Sequence, residues 1–200
     1  IFYKKNKKVI TIHPTFAMVD VYCKIFQTKQ IKIGYNDKLE LDLDSLNRSI
    51  DKNTCLIILA NPNSPTGSLI KKKELESLLI KAKRYGVKVI IDEAYYEFSK
   101  YNYLNKIKKY DNLIIIRTFS KLFGLAGLRA GYVASNHKII KKYFAIKPMY
   151  EINSIAVKAI ELFLQTPSLI KSYLKEMRIG ERYVKNFCKK NEYKFIKCYA

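Results

Sequence analysis

Short apolar runs rich in β-branched residues, alternating with longer stretches of helical periodicity, restrict this 200-residue chain more than any other feature. The runs are Val9 to Ile12, Ile31 to Ile33, Leu56 to Ala60, Val87 to Ile91, Leu113 to Arg117 and Ala130 to Ala134. Between them Leu75, Leu78, Leu79 and Ala82 repeat at i, i+3, i+4, i+7, and Gly86 follows as a helix stop. Val19, Tyr22 and Phe26 make a less regular stripe after Pro14. This alternation predicts an α/β fold, a mainly parallel sheet covered by helices. Ligands of such sheets collect beyond the carboxyl ends of the strands. Phe16, Asn63, Asp92 and Lys121 each lie within a few residues of such an end, on four different strands. The run from Ala130 follows Lys121 too closely for a covering helix, so it is expected to run antiparallel.

Lys121 stands in the segment Arg117-Thr-Phe-Ser-Lys-Leu-Phe-Gly-Leu-Ala-Gly-Leu-Arg129. A lysine at a strand end, with a hydroxyl beside it, glycines after it and an arginine eight positions on, is placed to hold a phosphorylated aldehyde covalently. Pyridoxal 5'-phosphate is such a cofactor, and its ring acts as an electron sink while the protein supplies position and electrostatics. The ring nitrogen must stay protonated for that, which calls for a buried carboxylate; Asp92 ends another apolar run. Tyr95, favoured by spacing over Tyr96, can donate to the ring's phenolic oxygen. The turn Asn61-Pro-Asn-Ser-Pro-Thr-Gly67 can reach the same oxygen, and Ser120 and Arg129 can take the phosphate, Arg129 as a charge-assisted fork.

Three stretches, Asn61 to Gly67, Asp92-Glu-Ala-Tyr95 and Ser120 to Arg129, occur in the order and spacing of a known family. The chain resembles the fold-type I pyridoxal phosphate aminotransferases, within them the histidinol-phosphate aminotransferase-like branch, over essentially its whole length. The resemblance implies that Lys121 is the Schiff-base lysine, Asp92 the partner of the pyridinium nitrogen and Tyr95 a donor to the ring oxygen. Ser120 and Arg129 become phosphate ligands, and Phe16 the aromatic that stacks on the ring. Most relatives carry asparagine directly before Pro-Thr-Gly, whereas this chain has Ser64 there and Asn63 one residue earlier. Either can serve the ring oxygen, and Asn63 is favoured.

By the same resemblance, residues 1–147 are an incomplete large cofactor-binding domain, and residues 148–200 are connecting helices and the start of a small C-terminal domain. Ile1-Phe2-Tyr3 reads as the tail of a helix and Tyr199-Ala200 as the inside of a strand. The chain is thus expected to be an internal piece, without the family's upstream phosphate turn and C-terminal carboxylate-binding arginine. After Asn153 the pattern is helical, with Ile155, Ala159, Leu162 and Phe163 on one face, a break at Pro167, and Leu174, Met177 and Val184 beyond. Glu151 and Asn153 fall at the junction.

The formal net charge of +21 and a pI of about 9.7 raise the question of a nucleic-acid partner. The lysines are scattered along helix faces and turns, and the sixteen tyrosines form no single-strand stacking module, so a solvated lysine-rich surface is expected and no nucleic-acid partner. Cys23, Cys55, Cys188 and Cys198 show no CxxC pairing and His13 and His137 are the only histidines, which predicts no metal site and free thiols in a reducing cytoplasm. No apolar run is long enough to span a membrane.

The expected activity is amino-group transfer between an amino-acid-like donor, carrying a phosphate or similar head, and a 2-oxo acid, in amino-acid biosynthesis. A homodimer with shared active sites is expected by resemblance. A decarboxylase of a phosphorylated amino acid is the alternative within the family. A non-catalytic basic binding protein on a degenerate aminotransferase fold is the alternative outside it, and joint retention of Lys121, Asp92 and Arg129 argues against it.

Overall fold

The computed structural model describes residues 1–99, 101–194 and 198–199. Six strands, β1 (Lys8–Ile12), β2 (Lys29–Ile33), β3 (Thr54–Ala60), β4 (Lys88–Asp92), β5 (Leu113–Thr118) and β6 (Gly131–Ser135), form one sheet in the order β2-β1-β3-β4-β5-β6. The pairs β1–β2, β1–β3, β3–β4 and β4–β5 are parallel. Ser135, at the end of β6, donates its hydroxyl to the Leu113 carbonyl at the start of β5, and Tyr132 near the start of β6 meets Arg117 near the end of β5, so β6 runs antiparallel. All six strands thus stand where the apolar runs put them.

Central parallel strands are buried on both faces, which explains why β1 and β3 read as continuous apolar runs and not as alternations. Ile10, Ile57, Leu59, Val89, Ile91, Leu113 and Ile115 are fully buried and pack with Leu75, Leu78, Leu79 and Ala82 of α3 (Lys72–Arg84). Glu74 accepts the Lys71 N–H at the start of α3, and Gly86 follows its end at φ +70°, a conformation that favours glycine. Two short helices, α1 (Met18–Ile25) and α2 (Leu43–Arg48), connect the first three strands. Asp42 caps α2 by accepting the Ser45 N–H at 2.9 Å.

The inward face of α1 is not the expected one. Cys23 is its buried residue, packed with Val9, Cys55 and Leu56, while Tyr22 and Phe26 are exposed. Apolar residues occur all round this eight-residue helix, so no single stripe marks the side that faces the sheet. Ile1 to Tyr3 are not helical, and Tyr199 is not in a strand; it donates its N–H to the Gly67 carbonyl at 2.9 Å. Ala200 lies outside the described residues.

The chain divides into two compact units, one comprising Ile1–Arg117, Tyr132–Lys147 and Cys198–Ala200, the other Thr118–Gly131 and Pro148–Lys197. The first holds the sheet core, α1 to α3, and α4 (His137–Phe144), which Asn136 caps through the Ile139 N–H. The second holds the turn after β5 and two helices, α5 (Ser154–Gln165) and α6 (Pro167–Lys190), with Pro167 at the first position of α6. Ala156 is the buried residue of α5, with Ala159, Ile160 and Phe163 half-buried, so the inward stripe includes the expected Ala159 and Phe163 but not Ile155 or Leu162. Phe163 meets Phe123 edge-on, with ring centroids 6.1 Å apart. Among the described residues no helix is long and apolar enough to cross a membrane.

Candidate active site

The strand pairing brings the carboxyl ends of β1, β3 and β4 side by side. Ala60 pairs with Asp92, and the Asn61 N–H donates to the Asp92 carbonyl at 2.9 Å. Asp92 is the last residue of β4, half-buried, and its Oδ1 accepts the Ala94 N–H at 2.9 Å, which holds the carboxylate at the strand end. Tyr95 follows in the same turn, half-buried, its ring 6.3 Å from that of Phe98. Tyr96 is engaged elsewhere, with its ring face 3.4 Å from the Arg117 guanidinium carbon.

Beyond β1, the His13 N–H donates to the Ile33 carbonyl and the Phe16 carbonyl accepts the Val19 N–H, which starts α1. Phe16 is 57 % exposed, a large aromatic ring left open at a strand end. Beyond β3, Asn61 turns inward: its Oδ1 accepts the Ile70 N–H at 2.8 Å. Asn63 is only 1 % exposed, and both its side-chain N–H bonds are taken, by the Pro14 carbonyl at 2.9 Å and Thr66 Oγ1 at 2.8 Å. A phenolic oxygen of a ligand needs a donor, and in this arrangement both side-chain donors of Asn63 are spent on the protein. Ser64 is half-buried.

Ser120, Lys121 and Arg129 belong to the turn of the second unit, directly after β5. The turn is closed by main-chain bonds from Phe119 N to the Ala130 carbonyl, from Leu125 N to the Phe119 carbonyl and from Gly124 N to the Lys121 carbonyl. The Ser120 N–H donates to Thr118 Oγ1 at 3.1 Å. Lys121 and Arg129 are exposed. Arg129 sits at φ +55° and its guanidinium reaches the Ala126 carbonyl at 2.9 Å. Asn153, which caps α5 through the Ala156 N–H, also donates to the Leu128 carbonyl at 3.1 Å, so this junction residue braces the turn.

One group of polar residues here is absent from the sequence reading. Glu93 is fully buried and ion-paired with Arg117, whose Nε and Nη2 both donate to Glu93 Oε2, at 2.8 and 2.6 Å. The Tyr103 N–H donates to Glu93 Oε1 at 2.8 Å, and Arg117 also reaches Asn102 Oδ1 and the Tyr132 hydroxyl. Burial pushes the Glu93 carboxyl up, against the pull of Arg117; burial also opposes the charge on Arg117, but Glu93 and Tyr132 more than offset it and hold the guanidinium above its usual range. Nearby, burial pushes the Glu97 carboxyl up to about 7. Among the described residues no three His, Cys, Asp or Glu side chains form a group able to hold a metal ion.

The chain is 36 % identical over 189 residues to the histidinol-phosphate aminotransferase of Thermoanaerobacter pseudethanolicus, covering 94 % of this chain and 53 % of that protein. It therefore spans about half the length of the curated relatives it matches. Among solved structures, the histidinol-phosphate aminotransferase of Clostridium acetobutylicum superposes with a TM-score of 0.87 at 27 % identity, covering 97 % of this chain and 60 % of that one. The L-threonine-O-3-phosphate decarboxylase of Porphyromonas gingivalis superposes with a TM-score of 0.71 at 24 % identity, over 84 % of this chain and 52 % of that one, which shows the shared fold alone. The model of aminotransferase class I and II matches residues 1–187, and to that family this chain belongs.

Proposed function

We propose that the protein carrying this chain is a pyridoxal phosphate-dependent aminotransferase that moves an amino group from a phosphorylated, histidinol phosphate-like amine to a 2-oxo acid. The observation that supports this most is the register of β3 and β4, which sets Asp92 beside the Asn61–Gly67 turn at the carboxyl edge of the sheet. The donor set suits the cofactor. Phe16 offers an open ring face, Ser64 and Tyr95 offer hydroxyls and Asp92 a carboxylate at strand ends, while one short turn carries a hydroxyl, an amine and a guanidinium. When bound, the cofactor supplies the electron sink that amine transfer needs. Asp92 holds a proton on the ring nitrogen, and Tyr95 and Ser64 donate to the ring oxygen. Ser120 and Arg129 bind the phosphate. The Lys121 amine would hold the cofactor covalently and would move a proton as general base and then acid.

In this reading residues 1–147 belong to the large domain and residues 148–200 lead into a small one. The enzyme works as a cytoplasmic homodimer with shared sites. Supplying histidinol phosphate and 2-oxoglutarate to the full protein should yield one glutamate per amine consumed. Absence of glutamate would overturn amine transfer, and carbon dioxide released without glutamate when L-threonine O-3-phosphate, which carries a carboxyl group, replaces the amine would assign decarboxylation instead.

A further inference from the structure

The connection between β1 and α1 carries the exposed Phe16 ring, yet the two residues before it are bound to a single buried side chain. Asn63 donates to the Pro14 carbonyl at 2.9 Å and accepts the Thr15 hydroxyl at 2.7 Å. Its remaining N–H goes to Thr66 Oγ1, which lies 2.8 Å from Ser68 Oγ. The main chain of Asn63 is committed as well, donating to the Ser68 carbonyl at 2.9 Å and accepting the Gly67 N–H at 2.8 Å. A carboxamide this buried and this fully used has little freedom to turn toward a ligand without leaving buried groups unpaired.

We infer that Asn63 is a positioning residue, a polar clasp that joins the ends of β1 and β3 and sets the backbone from which Phe16 projects. Proline has no N–H, so the carbonyl is the only main-chain polar group that Pro14 offers, and Asn63 takes it. Thr15 supplies the second point of attachment. Two bonds on consecutive residues fix both the place and the rotation of the backbone entering Phe16, as a single bond cannot. Asn63 thus acts through Phe16 and touches no ligand itself. This inference rests on the proposed reading of Phe16 as the residue that stacks on the cofactor ring.

Thr15→Val removes the hydroxyl at nearly constant shape and leaves every proposed cofactor ligand in place. In the full protein it should weaken pyridoxal phosphate binding about two- to tenfold, the loss of one hydrogen bond. Thr15→Ser should restore wild-type affinity. Phe16→Leu should also weaken binding, and adding Thr15→Val to it should change little, because the clasp then has no ring to aim. In the cofactor-free protein, hydrogen exchange across residues 15–19 should speed up in Thr15→Val and not in Thr15→Ser. Additive losses in the double variant, or unchanged exchange in Thr15→Val, would overturn the role given to Asn63. A wild-type protein that binds no pyridoxal phosphate would sink the cofactor reading itself, and with it any role for Phe16.

Discussion

The Glu93–Arg117 pair and the Lys121–Arg129 turn are adjacent in sequence and opposite in construction. Glu93 and Arg117 are buried, carry opposite charges and fill each other's hydrogen-bonding capacity together with Tyr103, Asn102 and Tyr132. Lys121 and Arg129 are exposed on a turn held by main-chain bonds. Charges of the first kind belong to the folding of the sheet, since removing one leaves the other stranded in a poorly solvating interior. Those of the second kind lie at the surface, where substitutions disturb the fold least.

The sharpest break of this contrast is at Lys121. Lys121→Ala should abolish covalent trapping of the cofactor by borohydride while leaving the melting temperature of the cofactor-free protein within a degree or two; trapping retained at another lysine would refute the assignment. Glu93→Ala should do the reverse, costing about 3–5 kcal/mol of stability because the Arg117 charge stays buried without its partner. Denaturant titration would register this, and a loss under 1 kcal/mol would mean that water reaches the pair. Arg129→Ala should lower cofactor affinity by the equivalent of roughly 1.5–3 kcal/mol with no matching loss of stability. Equal shifts in dialysis and in melting would make Arg129 a structural residue, and the contrast would fail there.

Glu97 is half-buried, and the pull of Arg117 on its carboxyl does not overcome burial. Its folded pKa of about 7 lies above the ordinary glutamate value of 4.5. Between those two values the folded state binds the extra proton, so stability falls as pH rises through this window and levels off above about 7. Glu97→Gln should remove that slope and leave the variant more stable than wild type at pH 8 by up to about 2 kcal/mol, the shift being discounted for partial exposure. Identical pH profiles for the two proteins would show that Glu97 is well solvated.

Much of the sheet was legible in the sequence because buried parallel strands leave uninterrupted β-branched runs, and the predicted ends lie within two residues of those observed. The covering helix α3 was legible because its four buried residues keep one period. The faces of α1 and α5 were not, since short helices with apolar residues on several sides offer no unique stripe. The Glu93–Arg117 pair was missed although a signal for it exists. Val89, Ile91 and Glu93 alternate along β4 as Leu113, Ile115 and Arg117 do along β5, and these six residues are all buried. Period-two counting carried from Ile91 to Glu93 and from Ile115 to Arg117 would have put both charges on the interior side. The bonds of Asn63 were hidden for another reason: its partners, the Pro14 carbonyl and the Thr15 hydroxyl, lie nearly fifty residues away and leave no trace in local sequence.

Gly67, whose carbonyl receives the Tyr199 N–H, has a consequence for how this lineage can vary. Its φ of +64° is one that side chains rarely adopt, and a Cβ there would come within 2.1 Å of Cys198 Sγ and 3.2 Å of the Cys198 Cα. Two independent barriers, one of conformation and one of space, therefore guard the same position. Shrinking Cys198 would lift only the second, so no single compensating change elsewhere opens position 67 to another residue. Drift along the Asn61–Gly67 turn is left to positions such as the half-buried Ser64.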